Sequence, residues 1–188
     1  MREKPNKQIV LKGEFCALIP IMEKDFEDII RLRNREKNRY FLNQKINLTL
    51  EQQIVWYQDY LGRENDIYWG IWKDCDTFIG TIRIYNIQES ECEEGSCIVD
   101  EEYAKEAPYA VEAKYLLTKY AFDTLGIDKI VNFNKADNKV MNSLSKRQGF
   151  QLIKEVIFEG EKFNYYVLEK QRFEREKIEQ MLQYWKAR

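Results

Sequence analysis

The sequence predicts a mixed α/β (α+β) fold: one twisted central sheet of about seven strands, flanked by helices and followed by an added C-terminal helix. Three stretches predict it. Residues 96–150 read strand, acidic loop, helix, strand, Asn-led helix and Gly-Phe stop, the order of two parallel strands joined by a crossover. Residues 66–72 and 78–86 are β-rich runs on either side of Asp74-Cys-Asp-Thr77, an antiparallel hairpin. Residues 152–158 and 163–168 flank Glu159-Gly160 and form a closing hairpin.

Taken in order, Phe15-Cys-Ala-Leu-Ile19 is the first strand, ended by Pro20. Residues 23–33 place Phe26, Ile29, Ile30 and Leu32 at helical spacing. A basic segment follows, in which Arg31, Arg33, Arg35, Lys37 and Arg39 precede Tyr40 and Phe41. Two readings stand side by side: a grip for a phosphate or carbohydrate, or cations that complement a helix C-terminus. Thr49-Leu-Glu-Gln52 is a capping-box signature, opening a helix through Ile54, Trp56, Tyr57, Tyr60 and Leu61. Gly70 and Gly80 fall inside strands, where glycine marks a bulge or close backbone approach when it is not simply tolerated. After the strand at 96–100 and the polar loop at 101–107, Pro108 suits the first helical position, since that N–H has no intrahelical partner. Val111, Tyr115, Leu116, Ala121 and Phe122 carry the apolar stripe to Gly126. Residues 129–133 are the next strand, and Asp137-Asn138 caps a helix bearing Met141, Leu144 and Ser145 up to Gly149. In the tail, Ile178, Met181, Leu182 and Trp185 share one helical face. That face covers its own domain or a second copy, so a monomer and a homodimer are both open.

At 188 residues the chain is long enough for one domain with a real core, spanning 1–188 with residues 171–188 as a helical extension. Eight glycines and three prolines leave no linker to divide it. A formal charge of −2 gives no global attraction to nucleic acid or an anionic membrane. No apolar run approaches the roughly 18 residues of a membrane span, and the first residues lack a signal-peptide core, so a cytoplasmic location is expected. Cys16, Cys75, Cys92 and Cys97 are scattered, which favours reduced thiols over disulfides or a zinc site. Histidine is absent, removing Ser-His-Asp and Cys-His triads and the commonest metal ligand, and no metal is expected.

Two motifs carry a resemblance. Lys105-Glu-Ala-Pro108-Tyr-Ala110 aligns with an Arg/Gln-x-x-Gly-x-Gly/Ala loop, and the run from Asn138 to Gly149-Phe150 matches an Asn-started helix ending in Gly-Phe. Together with the element order they resemble the GNAT superfamily of acyl-CoA-dependent N-acetyltransferases, over most of the chain up to Gly-Phe. The resemblance implies acetyl-CoA as co-substrate and a small-molecule amine as acceptor. It places the diphosphate at Lys105, Pro108 and the N–H groups of Tyr109, Ala110 and Val111. It places the pantetheine arm or the oxyanion at the Ile98 and Val99 N–H groups, with Asn138 reaching the arm. Glu93 in Glu93-Glu-Gly95 becomes the general base, with Glu94 its competitor, since a one-residue slip turns a strand side chain to the other face. The position of the acid that meets the leaving thiolate falls on Ser145, where many family members carry Tyr. Arg33, Asn34, Arg39 and Tyr40 become substrate residues, in the manner of branches acetylating nucleotide-linked amino sugars or N-terminal amines of ribosomal proteins. The rival reading is a non-catalytic acyl-CoA-binding or regulatory module, motivated by the glycine-poor loop and Ser145.

Overall fold

The structure is a computed structural model and describes residues 3–188. Its strands form one sheet of eight, in the order β1-β2-β3-β4-β5-β6-β8-β7. They are β1 (Leu11–Lys12), β2 (Cys16–Pro20), β3 (Ile67–Lys73), β4 (Thr77–Tyr85), β5 (Glu91–Val99), β6 (Lys129–Lys135), β7 (Gln151–Phe158) and β8 (Glu161–Glu169). The strand beyond the expected seven is β1, whose two residues pair with Leu18 and Ala17 and are too few to carry a periodicity. The strand expected at 96–100 is the end of a longer β5 that begins at Glu91.

Among the described residues six α-helices flank the sheet: α1 (Phe26–Asn34), α2 (Glu36–Phe41), α3 (Leu50–Gly62), α4 (Tyr109–Lys119), α5 (Lys139–Arg147) and α6 (Arg175–Lys186). The capping box forms as read, since Gln52 N–H donates to Thr49 Oγ1 at 3.3 Å and Thr49 N–H to Gln52 Oε1 at 3.0 Å. Pro108 sits one place earlier than expected, as the N-cap of α4, with φ −78° and ψ 43°. The end of α4 widens into a π turn, Tyr120–Thr124, before Gly126. One face of the sheet packs on α4 through Trp69, Ile71, Ile84, Leu117 and Phe122. The other packs on α1 and α3 through Phe26, Ile29, Leu32, Tyr60 and Tyr68. Each such buried side chain contributes about 1.5–3 kcal/mol, against about 1 kcal/mol for a helix cap, so core burial decides the topology. Helix α6 lays Ile178 and Leu182 against Tyr115 of α4, the first of the two readings of the tail.

What positions the site is a split in this sheet. Strands β5 and β6 pair in parallel over only three residue pairs, Glu91 with Lys129, Cys92 with Ile130 and Glu93 with Val131. Beyond them β5 stays with β4 as far as Val99, while β6 stays with β8 as far as Lys135, so the two halves splay apart. A bulge opposite Ile82 turns β5 further, with Ser96 at φ 51°. Gly80 makes the close approach possible: a Cβ there would overlap the carbonyl oxygen of Ile98.

Gly80→Ala therefore forces β4 and β5 apart beside the bulge. Its urea midpoint should fall by the equivalent of about 1–3 kcal/mol, the usual cost of overpacking. Unchanged stability would show that the two strands separate there without cost.

Candidate active site

The splay of β5 and β6 opens a cleft of about 590 Å³, walled by residues 94–99 on one side and 132–135 on the other. The first turn of α4 and the start of α5 close one end, and α2 with its flanking residues approaches through Arg35, Asn38, Phe41 and Leu42. Because neither strand has a partner across the gap, alternate backbone N–H and C=O groups of both walls face it. Asp100 N–H donates to Ile79 O at 2.7 Å, and the Ile98 carbonyl points to the same strand. Successive strand residues alternate in direction, so Val99 turns its N–H and C=O into the cleft and Ile98 does not.

Of the residues expected to hold the coenzyme, Ile98, Val99, Pro108, Tyr109, Ala110 and Asn138 line the cleft. Lys105 does not: it is exposed in the turn region before α4, while its neighbours Ala104 and Ala107 face inward. Tyr109 N–H is already given to Ala107 O at 2.9 Å, which leaves Ala110 and Val111 as the first-turn donors. Asn138 caps α5, its Oδ1 accepting from Met141 N–H at 3.2 Å.

The acid and base positions separate. Glu93 lies on the α1/α3 face of the sheet, outside the cleft lining, where it accepts from Tyr85 Oη and from Asn86 Nδ2 at 3.2 Å. Burial, then the Glu93 carboxylate, push the Tyr85 phenol far above its ordinary value, so Tyr85 remains a donor. Glu94 points to the α4/α5 face, lines the cleft and is only 3% exposed. Its Oε1 pairs with Lys114 Nζ and accepts from Asn132 Nδ2 at 2.8 Å. Ser145 is fully buried behind this group, accepting from Asn132 Nδ2 at 3.2 Å and Asn134 Nδ2 at 3.0 Å, and it does not reach the cleft.

The basic segment also divides. Asn34 holds the loop after α2, accepting from Leu48 N–H at 2.7 Å and from Gln44 Nε2 at 3.0 Å. Arg33 binds Gln44 Oε1 at 3.2 Å and Arg39 binds Asn47, so these three shape residues 42–49 and none lines the cleft. Tyr40 reaches across to Asp137 Oδ2 at 2.7 Å, with Lys135 Nζ 3.7 Å from its ring centre. The residues between them have the larger part. Arg35 Nη1 binds Asp100 Oδ1 at 2.5 Å and Arg31 Nη1 binds Asp100 Oδ2 at 2.8 Å, locking the α1–α2 corner onto the end of β5. Asp100 is 1% exposed; burial alone would raise its pKa, but the two arginines outweigh it and hold the carboxyl below the ordinary range.

The cleft fits the arm of a coenzyme. Glu94 Oε2 is buried without a hydrogen-bond partner among the described residues, as a site awaiting an amide N–H donor would be. The free first-turn N–H groups of α4 and the cations Lys37 and Lys139 suit phosphates. A profile of the acetyltransferase (GNAT) domain matches residues 17–151. The chain belongs to the GNAT family. It is an acyl-CoA-dependent N-acetyltransferase that moves an acetyl group to an amine. Among solved structures, it is similar to a GCN5-related N-acetyltransferase from Brucella melitensis (TM-score 0.77, 17% identity, 98% of this chain and 87% of that one). It also resembles apo FdhC, a nucleotide-linked sugar GNAT (TM-score 0.76, 28% identity, covering 93% and 97%). Spermidine N-acetyltransferase from Vibrio cholerae, in complex with CoA and spermine, shares the fold (TM-score 0.78, 14% identity, covering 85% and 98%). No curated protein matches the sequence significantly. Among the described residues no helix is long and apolar enough to cross a membrane, and no group of three His, Cys, Asp or Glu is placed to hold a metal ion.

A depressed carboxyl pKa contributes stability above its unfolded value, near ~3.9, and loses it as pH falls through the lower folded value. Asp100→Asn should therefore cost about 1–3 kcal/mol at neutral pH, with the gap to the parent closing below roughly pH 4. Denaturant titrations at several pH values check this, and a pH-independent gap would assign the cost to packing.

Proposed function

We propose that this N-acetyltransferase acts on the primary amine of a nucleotide-linked amino sugar, by direct attack on acetyl-CoA held in the cleft. The acceptor class rests chiefly on the likeness to the nucleotide-linked sugar enzyme, which spans nearly the whole of both chains. The surface on the Glu93 side agrees with it. Phe133 and Tyr165 pair there with ring centres 4.9 Å apart, and Lys154 Nζ stands 5.8 Å from the Tyr165 ring. Rings and ammonium groups suit an anionic, ring-bearing acceptor; a polyamine calls for carboxylates.

In this reading Ala110 and Val111 N–H groups bind the diphosphate, and Val99 pairs with the pantetheine amides as a strand would. Asn138 reaches the same arm from the start of α5. When the coenzyme is bound it supplies the activated acetyl group as a thioester. The amine enters from the α2 side and meets the carbonyl near Gly95. An amine of pKa near ~10 must shed a proton to attack, and Glu93, two residues before Gly95 and on the acceptor face, receives it directly or through water. Cys97 lines the cleft but does not carry the acetyl group. Burial, opposed by Lys114 and reinforced by Glu94, puts its pKa at about 11, so it is a neutral thiol at physiological pH.

Acetyl-CoA should raise the melting temperature, and free-thiol release should follow addition of nucleotide-linked amino sugars. Release with polyamines or peptide N-termini alone would overturn the acceptor class. Glu93→Gln should lower turnover by roughly 10²–10⁴-fold with acetyl-CoA affinity kept, the deficit shrinking toward the amine's own pKa. Cys97→Ala should keep turnover within a few-fold of the parent, whereas its loss would point to an acetyl-cysteine intermediate.

A further inference from the structure

We propose that Lys114 stabilises the thiolate that leaves when the acetyl group is transferred. This role presupposes acetyl-CoA in the cleft, as above. Three charged residues of the cleft lining are buried: Glu94, Lys114 and Lys135. Lys135 is engaged on the α2 side, against the Tyr40 ring and Glu161 Oε2 at 3.3 Å. Lys114, 1% exposed, projects from α4 to the inner end of the cleft. It shares Glu94 with Asn132, and these two residues directly follow the last β5–β6 pair, Glu93 with Val131. The ammonium group thus marks the apex at which the strands part, fixed on one side by Glu94 and on the other by the Phe150 ring, 5.3 Å from its centre.

The apex is where a thioester threaded between the strands would present its carbonyl. As the amine nitrogen bonds to the carbonyl carbon, the C–S bond breaks and its electron pair leaves on sulfur. The amine's proton departs to the base on the opposite face of the sheet, so the sulfur bears a full negative charge until it is protonated from solvent on release. A buried cation at the apex lowers the energy of that charge without giving up a proton. Glu94 pairs with the ammonium group through Oε1 and offsets part of its charge, so the net effect depends on which of the two lies nearer the sulfur. A sulfur already in the lining reports the balance: at Cys97, Lys114 favours the thiolate more strongly than Glu94 opposes it, although burial outweighs both. Ser145, sealed behind Asn132 and Asn134, leaves this function to another residue.

Coenzyme A itself is the probe. Its thiolate ultraviolet absorbance, titrated from about pH 6 to 10 on the full-length protein with desulfo-coenzyme A as reference, should show the bound thiol ionising at least about one pH unit below its free value near ~8.5. Lys114→Met combined with Glu94→Gln removes both charges at similar volume. It should abolish the shift and lower kcat about 10²–10³-fold, while desulfo-coenzyme A affinity stays within a few-fold. A bound thiol that titrates like the free one in the unmodified protein overturns the role of Lys114 and leaves acetyl transfer standing, whatever the variant does. Persistence of the shift in the double variant overturns it as well. Failure of coenzyme A to bind at all would remove the acetyl-transfer reading together with this one.

Discussion

Everything at the site depends on β5 and β6 being paired for three residues and no further. Each strand is fully committed on its other side, β5 to β4 and β6 to β8, so neither can follow its neighbour across the gap. Unpaired backbone groups inside a fold are costly, and a structure keeps them only where water or a ligand satisfies them. The cleft is therefore a property of strand pairing, and the helices are arranged around it. Crossover helix α4 brings its first turn to one end, and the helix after β6 brings its cap to the same place.

Buried charges fix that arrangement. Glu112 of α4 accepts the N–H groups of Glu14, Phe15 and Cys16, each at 2.8 Å, which ties the crossover helix to the start of β2. Asp100 ties the α1–α2 corner to the end of β5 through two arginines. Glu94 and Lys114 tie α4 to β5 at the apex. Buried ion pairs add little net stability, since desolvation offsets most of the attraction, but removing one partner is strongly unfavourable. Such contacts select one register. Helices α1, α2 and α4 are thereby held to β2 or β5.

The periodic parts of this architecture were legible in the sequence. Strand runs, the Thr49 capping box, the Asn138 cap and the Gly-Phe stop all express local rules, and residues 152–168 form the hairpin that Glu159-Gly160 announces. Of the backbone groups expected at the site, Val99 and Ala110 line the cleft free of a strand partner, whereas Ile98 is turned to β4 and Tyr109 N–H is given to Ala107. The site was obscure where side-chain partners decide. Asn34, Arg33 and Arg39 form a plausible anion grip in sequence, yet each is occupied by a loop residue 8–14 positions away. Arg35 looked no different from its neighbours, because its partner Asp100 is 65 positions distant. Lys114 left one trace, a charge two places after Glu112 in a helix whose other buried residues are uncharged. Read against the stripe, both pass for solvated positions; only the sheet beneath shows that neither is.

The Val99 wall has one more consequence. A ligand recognised by main-chain groups, as an inserted strand is, imposes almost nothing on the side chains that alternate above and below it. Selection can then let those side chains drift while the binding groove persists. In this chain the cleft wall at Val99 offers a ligand peptide hydrogen-bonding groups, whatever side chains alternate beside them.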